Sequence, residues 1–188
     1  MGSGEINALV ESCFADPSPA GVRDAAILAL LYAAGLRRSE VVSLDMTDYD
    51  ADTGGLKIVA GKGNKARTVY LGNGAKAAVD GWMRVRGDTS GPLPYRVRKG
   101  GKIILHRLTD QAIWVILEKR LAQARVKPCT PHDLQRTFAG EMLDAGVDLV
   151  TVQHLMGHAS PVTTSRYGCR DEKTKMDAAT KIHFPVVG

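Results

Sequence analysis

The sequence predicts a mainly α-helical fold with a small antiparallel β-hairpin, an α+β arrangement that takes residues 1–188 as a single domain. Three observations support this. The run AAILALLYAAG at 25–35 is apolar on nearly every side, as befits the central helix of a core. Residues 56–60 and 66–71 flank the turn GKGN and alternate as paired strands do. From Pro131 to Tyr167 the chain reads as helix, turn, helix and a short polar segment. At 188 residues the chain can bury one core and is too short to promise two.

Taken in order, residues 6–16 (INALVESCFAD) carry an amphipathic helical pattern, and the opening MGSG at 1–4 fits an appended expression remnant or a native start. Ser18 and Pro19 form an N-cap and N1 pair for a helix over 19–34, which Gly35 ends. The short helix RRSEVVSL places Glu40 three residues after Arg37 on one face, and by itself that pair reads as a weak surface ion pair. The hairpin gathers Lys62, Lys65 and Arg67 at its tip, where Gly61 and Gly63 supply the turn. Two further amphipathic helices are expected over 73–87 and 109–125, the second capped by Thr109 and burying Ile113, Leu117 and Leu121. Trp82 and Trp114 are assigned to the core. Between these helices, GPLPYRVRKGGKI is a loop or irregular hairpin carrying Arg96, Arg98, Lys99 and Lys102. Asp148 caps the last well-marked helix, which Gly157 ends, and beyond Tyr167 a polar helix gives way to the apolar tail His183–Val187.

A formal net charge of +5 and a pI near 9.2 favour a polyanionic partner without singling out nucleic acid. Cys13, Cys129 and Cys169 show neither paired nor metal-ligand spacing, and their odd number argues against a disulfide framework. A reducing cytoplasm is the expected setting. No signal peptide and no apolar run long enough to span a bilayer are present.

The fold-back of residues 131–167 brings His132, His158 and Tyr167 towards one point. Two imidazoles and a phenol suit nucleophilic attack on a phosphate, with no metal or other cofactor implied. The boxes HDLxRTFA, LMGHAS and TTSRY, preceded by AAGLRRSEVVSL at 33–44 and GKGNKARTVYL at 61–71, resemble the catalytic domain of the tyrosine recombinases. Phage integrases and Xer recombinases belong to that family, and the resemblance spans roughly residues 22 to 175.

The resemblance implies a site for cutting and rejoining DNA. Tyr167 would attack phosphorus to leave a 3′-phosphotyrosine, while Lys62 enters the minor groove and protonates the departing 5′ oxygen. Arg37, His132 and His158 would hold the non-bridging oxygens or assist proton movement, with Glu40 holding Arg37 in place. A planar guanidinium suits this role because its fork can donate to two phosphate oxygens. Arg38, Lys65 and Arg67 are expected to contact DNA, as are Arg96, Arg98, Lys99, Lys102 and Arg136. The implied partners are double-stranded DNA and other recombinase protomers, joined through the C-terminal tail in a synaptic tetramer at the nucleoid of the cytoplasm. The helical DNA-clamping domain that usually comes first in this family has no counterpart here, so a fragment or an unusually short protein is expected.

One position departs from the pattern. Where the family carries its second catalytic arginine, three residues after His132, this chain has Gln135. Arg136 does not replace it, since adjacent helical residues point about 100° apart. The readings left open are a recombinase of impaired activity, a non-catalytic DNA-binding protein of the same fold, and a helix-turn-helix regulator whose boxes match by accident. Type IB topoisomerases share the chemistry but relax supercoils without a partner site.

Overall fold

The computed structural model describes residues 1–59 and 66–157. Helix α1 (Ser3–Phe14) leads to α2 (Pro19–Leu28), which runs without a break into a π-helical turn over Ala29–Ala33. After α3 (Arg38–Ser43) and one 3₁₀ turn (Met46–Asp48) come β1 (Tyr49–Asp50), β2 (Gly55–Ile58) and β3 (Arg67–Tyr70). Then follow α4 (Asn73–Arg86), β4 (Tyr95–Val97), β5 (Ile103–Arg107), α5 (Asp110–Ala124), α6 (Pro131–Asp144) and α7 (Leu149–Met156). The mainly helical fold with small antiparallel sheets is therefore observed.

Helix α2 packs against α1, α4 and α5, and the π turn packs against α6. Ile27, Leu30, Leu31 and Leu36 are essentially solvent-free, as the all-round apolar run requires. Trp82 of α4 is fully buried, and its indole N–H donates to the Leu93 carbonyl at 2.8 Å, which satisfies its polar atom. A smaller cluster of Phe138, Ala139, Leu143, Val152 and Met156 joins α6 to α7.

Ions also enter the core. Arg120 of α5 and Asp24 of α2 are both fully buried, and Arg120 donates to Asp24 (2.8 Å), to Asp16 (2.7 Å) and to the Ser12 carbonyl (3.1 Å). Arg23 donates two bonds to the other Asp24 oxygen, at 2.6 and 2.9 Å. Every charge in this cluster meets an opposite one, which offsets the cost of taking it out of water.

Several expectations need adjusting. The first helix begins at Ser3, so Ser3 and Gly4 belong to its first turn. The helix expected over 19–34 is α-helical only to Leu28. Strand β1 extends the expected hairpin to a three-stranded antiparallel sheet in the order β1-β2-β3. The stretch at 91–103 contributes to a hairpin of its own, with an irregularity between Tyr95 and Arg96. Trp114 is only half-buried, because it sits beside the Ile113–Leu117–Leu121 stripe and not on it.

Candidate active site

Helix α3 starts with a reciprocal cap. The Arg37 backbone N–H donates to Glu40 Oε2 at 2.9 Å, and the Arg37 guanidinium donates to Glu40 Oε1 at 3.0 Å. The sequence placed these residues on one face, and the cap turns that neighbourhood into an orienting contact. The second Arg37 Nη donates to the Gly157 carbonyl at 3.2 Å, reaching the end of α7. One third of the Arg37 side chain stays exposed, and it lines a cleft of about 380 Å³ with Arg38, Trp114, His132 and Gln135.

Helix α6 supplies the facing wall. Thr130 Oγ1 accepts from the Asp133 N–H at 3.1 Å, Asp133 answers by accepting from the Thr130 N–H at 2.9 Å, and Pro131 occupies the first turn. That cap fixes where the helix begins, and so puts His132 in its first turn, exposed at the cleft. Gln135, 5% exposed, lies one turn further on, and its amide donates to the Gly35 carbonyl at 2.7 Å. Arg136 lines a different hollow with Asp133, Thr137 and Gly140, as the turn of the helix requires.

The structure places Arg67 differently from the sequence expectation of a solvated, DNA-facing cation at a hairpin tip. Its side chain is 9% exposed and donates to both Glu40 oxygens at 2.9 Å and to the Leu155 carbonyl at 2.7 Å. The signal was in the strand alternation, because Arg67 shares a face with buried Val69. Burial pushes the Glu40 carboxyl up, but hydrogen bonds from Arg67 and the Arg37 backbone, with the two guanidinium charges, outweigh it. The carboxyl is held below its ordinary value and is ionised.

The remaining expected DNA contacts are more open. Arg96, Arg98, Lys99 and Lys102 are all exposed on the β4–β5 hairpin, and exposed Arg38 lies 3.8 Å from Asp110. Lys62, Lys65, His158 and Tyr167 lie outside the described residues, as do Cys169 and the tail. Among the described residues, no group of three or more histidine, cysteine or acidic side chains could hold a metal ion, and no helix is long and apolar enough to cross a membrane. Trp114 is the wall residue that sequence reasoning sent to the core.

This arrangement of capped arginine, histidine and glutamine around one cleft agrees with the family evidence, since the model of the phage integrase family matches residues 1–173. The chain belongs to that family. The tyrosine recombinase XerC of Chromohalobacter salexigens is 39% identical over 176 residues, which cover 89% of this chain and 55% of the relative. The tyrosine recombinase XerA of Pyrococcus furiosus is 36% identical over 146 residues, or 78% of this chain and 50% of that protein. A crystal structure of XerA recombinase superposes with a TM-score of 0.77 at 26% identity, covering 96% of this chain and 64% of that one. A lambda integrase dimer bound to a core site shares the fold, with a TM-score of 0.68 at 16% identity, over all of this chain and 50% of that one. The chain spans about half the length of the curated relatives it matches.

Proposed function

We propose that this chain is the catalytic domain of a site-specific DNA recombinase or integrase, a single unit over residues 1–188 that cleaves and rejoins strands through a 3′-phosphotyrosyl intermediate. The observation that carries the reading is Arg37, which Glu40 orients towards a cleft shared with His132 and Gln135 and which is bonded to the carbonyl of Gly157, next to His158 in the chain. A phosphodiester resists attack because its oxygens are negative, and the pentavalent transition state adds charge there. Oriented donors therefore stabilise it without reorganising.

In this scheme Arg37 holds two non-bridging oxygens, and His132 and His158 complete the anion site or move protons. Tyr167 attacks phosphorus as the bond to the 5′ oxygen breaks, and Lys62 supplies the proton to the departing hydroxyl. The tyrosyl ester conserves the bond energy, so a second 5′ hydroxyl can reseal the strand without ATP. Double-stranded DNA is the substrate, with Arg38, Lys65, Arg96, Arg98, Lys99, Lys102 and Arg136 available to its phosphates. Protomers assemble as a synaptic tetramer through the C-terminal tail, at the nucleoid in the cytoplasm.

Gln135 lowers the rate in this scheme. Its amide supplies hydrogen bonds but neither charge nor fork, and losing one preorganised donor costs about 10²–10³ in rate. Losing a phosphate-directed arginine costs about 10³–10⁵. The same position favours a second reading, a DNA-binding protein that keeps the fold without catalysis, because the Gln135 amide is already engaged by the Gly35 carbonyl.

A nicked suicide duplex separates the two readings. Once binding to that duplex is established, Gln135→Arg is expected to raise covalent adduct by about 10²–10⁵, and adding Tyr167→Phe should abolish it. Adduct surviving Tyr167→Phe would remove the nucleophile and the proposal with it. Bound DNA without adduct from either protein would favour the non-catalytic reading.

A further inference from the structure

Glu40 Oε1 accepts from Arg37 at 3.0 Å and from Arg67 at 2.9 Å, while Oε2 accepts from the Arg37 backbone N–H and from Arg67, both at 2.9 Å. Four donors therefore fill the acceptor sites of one carboxylate, and two of them belong to Arg67. The third direction of the Arg67 fork, Nε, points at the Leu155 carbonyl at 2.7 Å. That carbonyl lies in the last turn of α7, where the helix dipole presents its negative end.

Gly157 makes a separate observation. Its φ is +61°, and a Cβ added there would come within 2.6 Å of Arg67 Nη1. The backbone that leads into His158 therefore lies directly against the Arg67 guanidinium. Arg37 grips the same backbone through the Gly157 carbonyl. The two arginines, the carboxylate between them and the end of α7 form one closed set of contacts.

We propose that Arg67 is a positioning residue, which grips Glu40 and the Leu155 carbonyl so that Arg37 and the chain entering His158 are held in one frame, and which is not itself a phosphate contact. The inference rests on the reading of Arg37 as a phosphate-binding group. Lysine cannot replace Arg67, because a single ammonium cannot reproduce two parallel bonds to a carboxylate and a third to a carbonyl in another direction. With Arg67 gone, Glu40 is free to turn and Arg37 turns with it. Small misplacement of a catalytic group costs about 10²-fold in rate.

The test compares Arg67→Lys and Arg67→Met, in the chain as it stands and with Gln135→Arg, at temperatures where melting curves show each protein folded. Affinity for the nicked duplex across a salt series and adduct formation at saturating DNA are both measured. Arg67→Met should lower adduct per bound DNA by about 10²-fold, with little recovery in Arg67→Lys, while affinity stays within about twofold and its salt slope is unchanged. A slope shallower by about 0.9, the signature of one lost phosphate contact, would overturn the proposal. So would full-rate adduct from bound Arg67→Met, which would leave Arg67 a purely structural role. If neither parent forms adduct on bound DNA, the functional reading fails separately, and a carbon-13 titration of the Glu40 carboxyl decides on Arg67. A midpoint displaced upwards in Arg67→Met supports the proposed grip, and an unchanged midpoint sinks it.

Discussion

Replacing Gly35 with alanine should destabilise the protein more than any other left-handed glycine change in the same region, for a reason that can be isolated. Gly35 has φ +63°, its carbonyl accepts the Gln135 amide, and a Cβ built on it would come within 2.5 Å of Phe138 Cδ1 and 2.7 Å of Cε1. Phe138 is 5% exposed and belongs to the cluster that joins α6 to α7, so its ring has little room to retreat. Two costs add. A left-handed alanine costs roughly 1–2 kcal/mol, and overpacking a filled site typically costs 1–3 kcal/mol more, for a total of about 2–5 kcal/mol. Gly146 provides the control, because its φ is +87° and a Cβ there meets nothing within 4 Å. Gly146→Ala should incur only the backbone cost. Urea denaturation of both variants measures the difference, and a double-mutant cycle pairing Gly35→Ala with Phe138→Leu should return a coupling of about 0.5–3 kcal/mol. Equal losses for the two glycines with no coupling would refute the proposed clash, and with it the close approach of the α6 aromatic to the chain leading into Arg37.

Other expectations concern the core. Arg120→Met should cost about 3–5 kcal/mol in urea denaturation, since it takes one partner from buried Asp24 and the nearer cation from Asp16; a loss under about 1 kcal/mol would show the pair to be dispensable. The Asp16 carboxyl is held down at about 2, first by hydrogen bonding from Ser18 and then by Arg120. Its contribution to stability is therefore complete above the unfolded value near 3.9 and disappears as pH falls towards 2. Melting temperatures across that window should fall less steeply in Asp16→Asn, and identical acid limbs would count against the assignment. Burial pushes the Cys13 thiol up to about 11, so mass spectrometry after neutral-pH alkylation should find Cys13 unmodified until denaturant is added.

The helices were legible because each has strong local signals. Thr109 and Asp148 cap where expected, and the apolar run after Asp24 is buried as its composition demands. The Arg37–Glu40 contact was legible too, being a matter of three residues along one helix. Arg67 was not placed correctly, because its partners Glu40 and Leu155 are remote in sequence and a cationic cluster looks solvated until a carboxylate appears beside it. Strand β1 is two residues long and carries no alternation to detect. Trp114 lay one position off a clean apolar stripe, a distinction of about 100° that only the packed neighbours resolve.

The π turn after α2 determines where Arg37 points. Over Ala29–Ala33 the ladder widens, with the Ala34 N–H bonded to the Ala29 carbonyl at 3.2 Å and the Leu36 N–H to the Leu30 carbonyl at 3.1 Å. Such a widening accommodates one residue more than a regular helix of the same rise would hold. Deleting a single alanine from it would leave a chain well able to form a continuous helix, yet everything after it would be rotated by about 100° relative to the core behind. The Gly35 carbonyl would turn away from Gln135, and Arg37 would leave the cleft. The aim of the site thus depends on a residue count inside the most apolar part of the molecule, some distance from any charged group that the site displays.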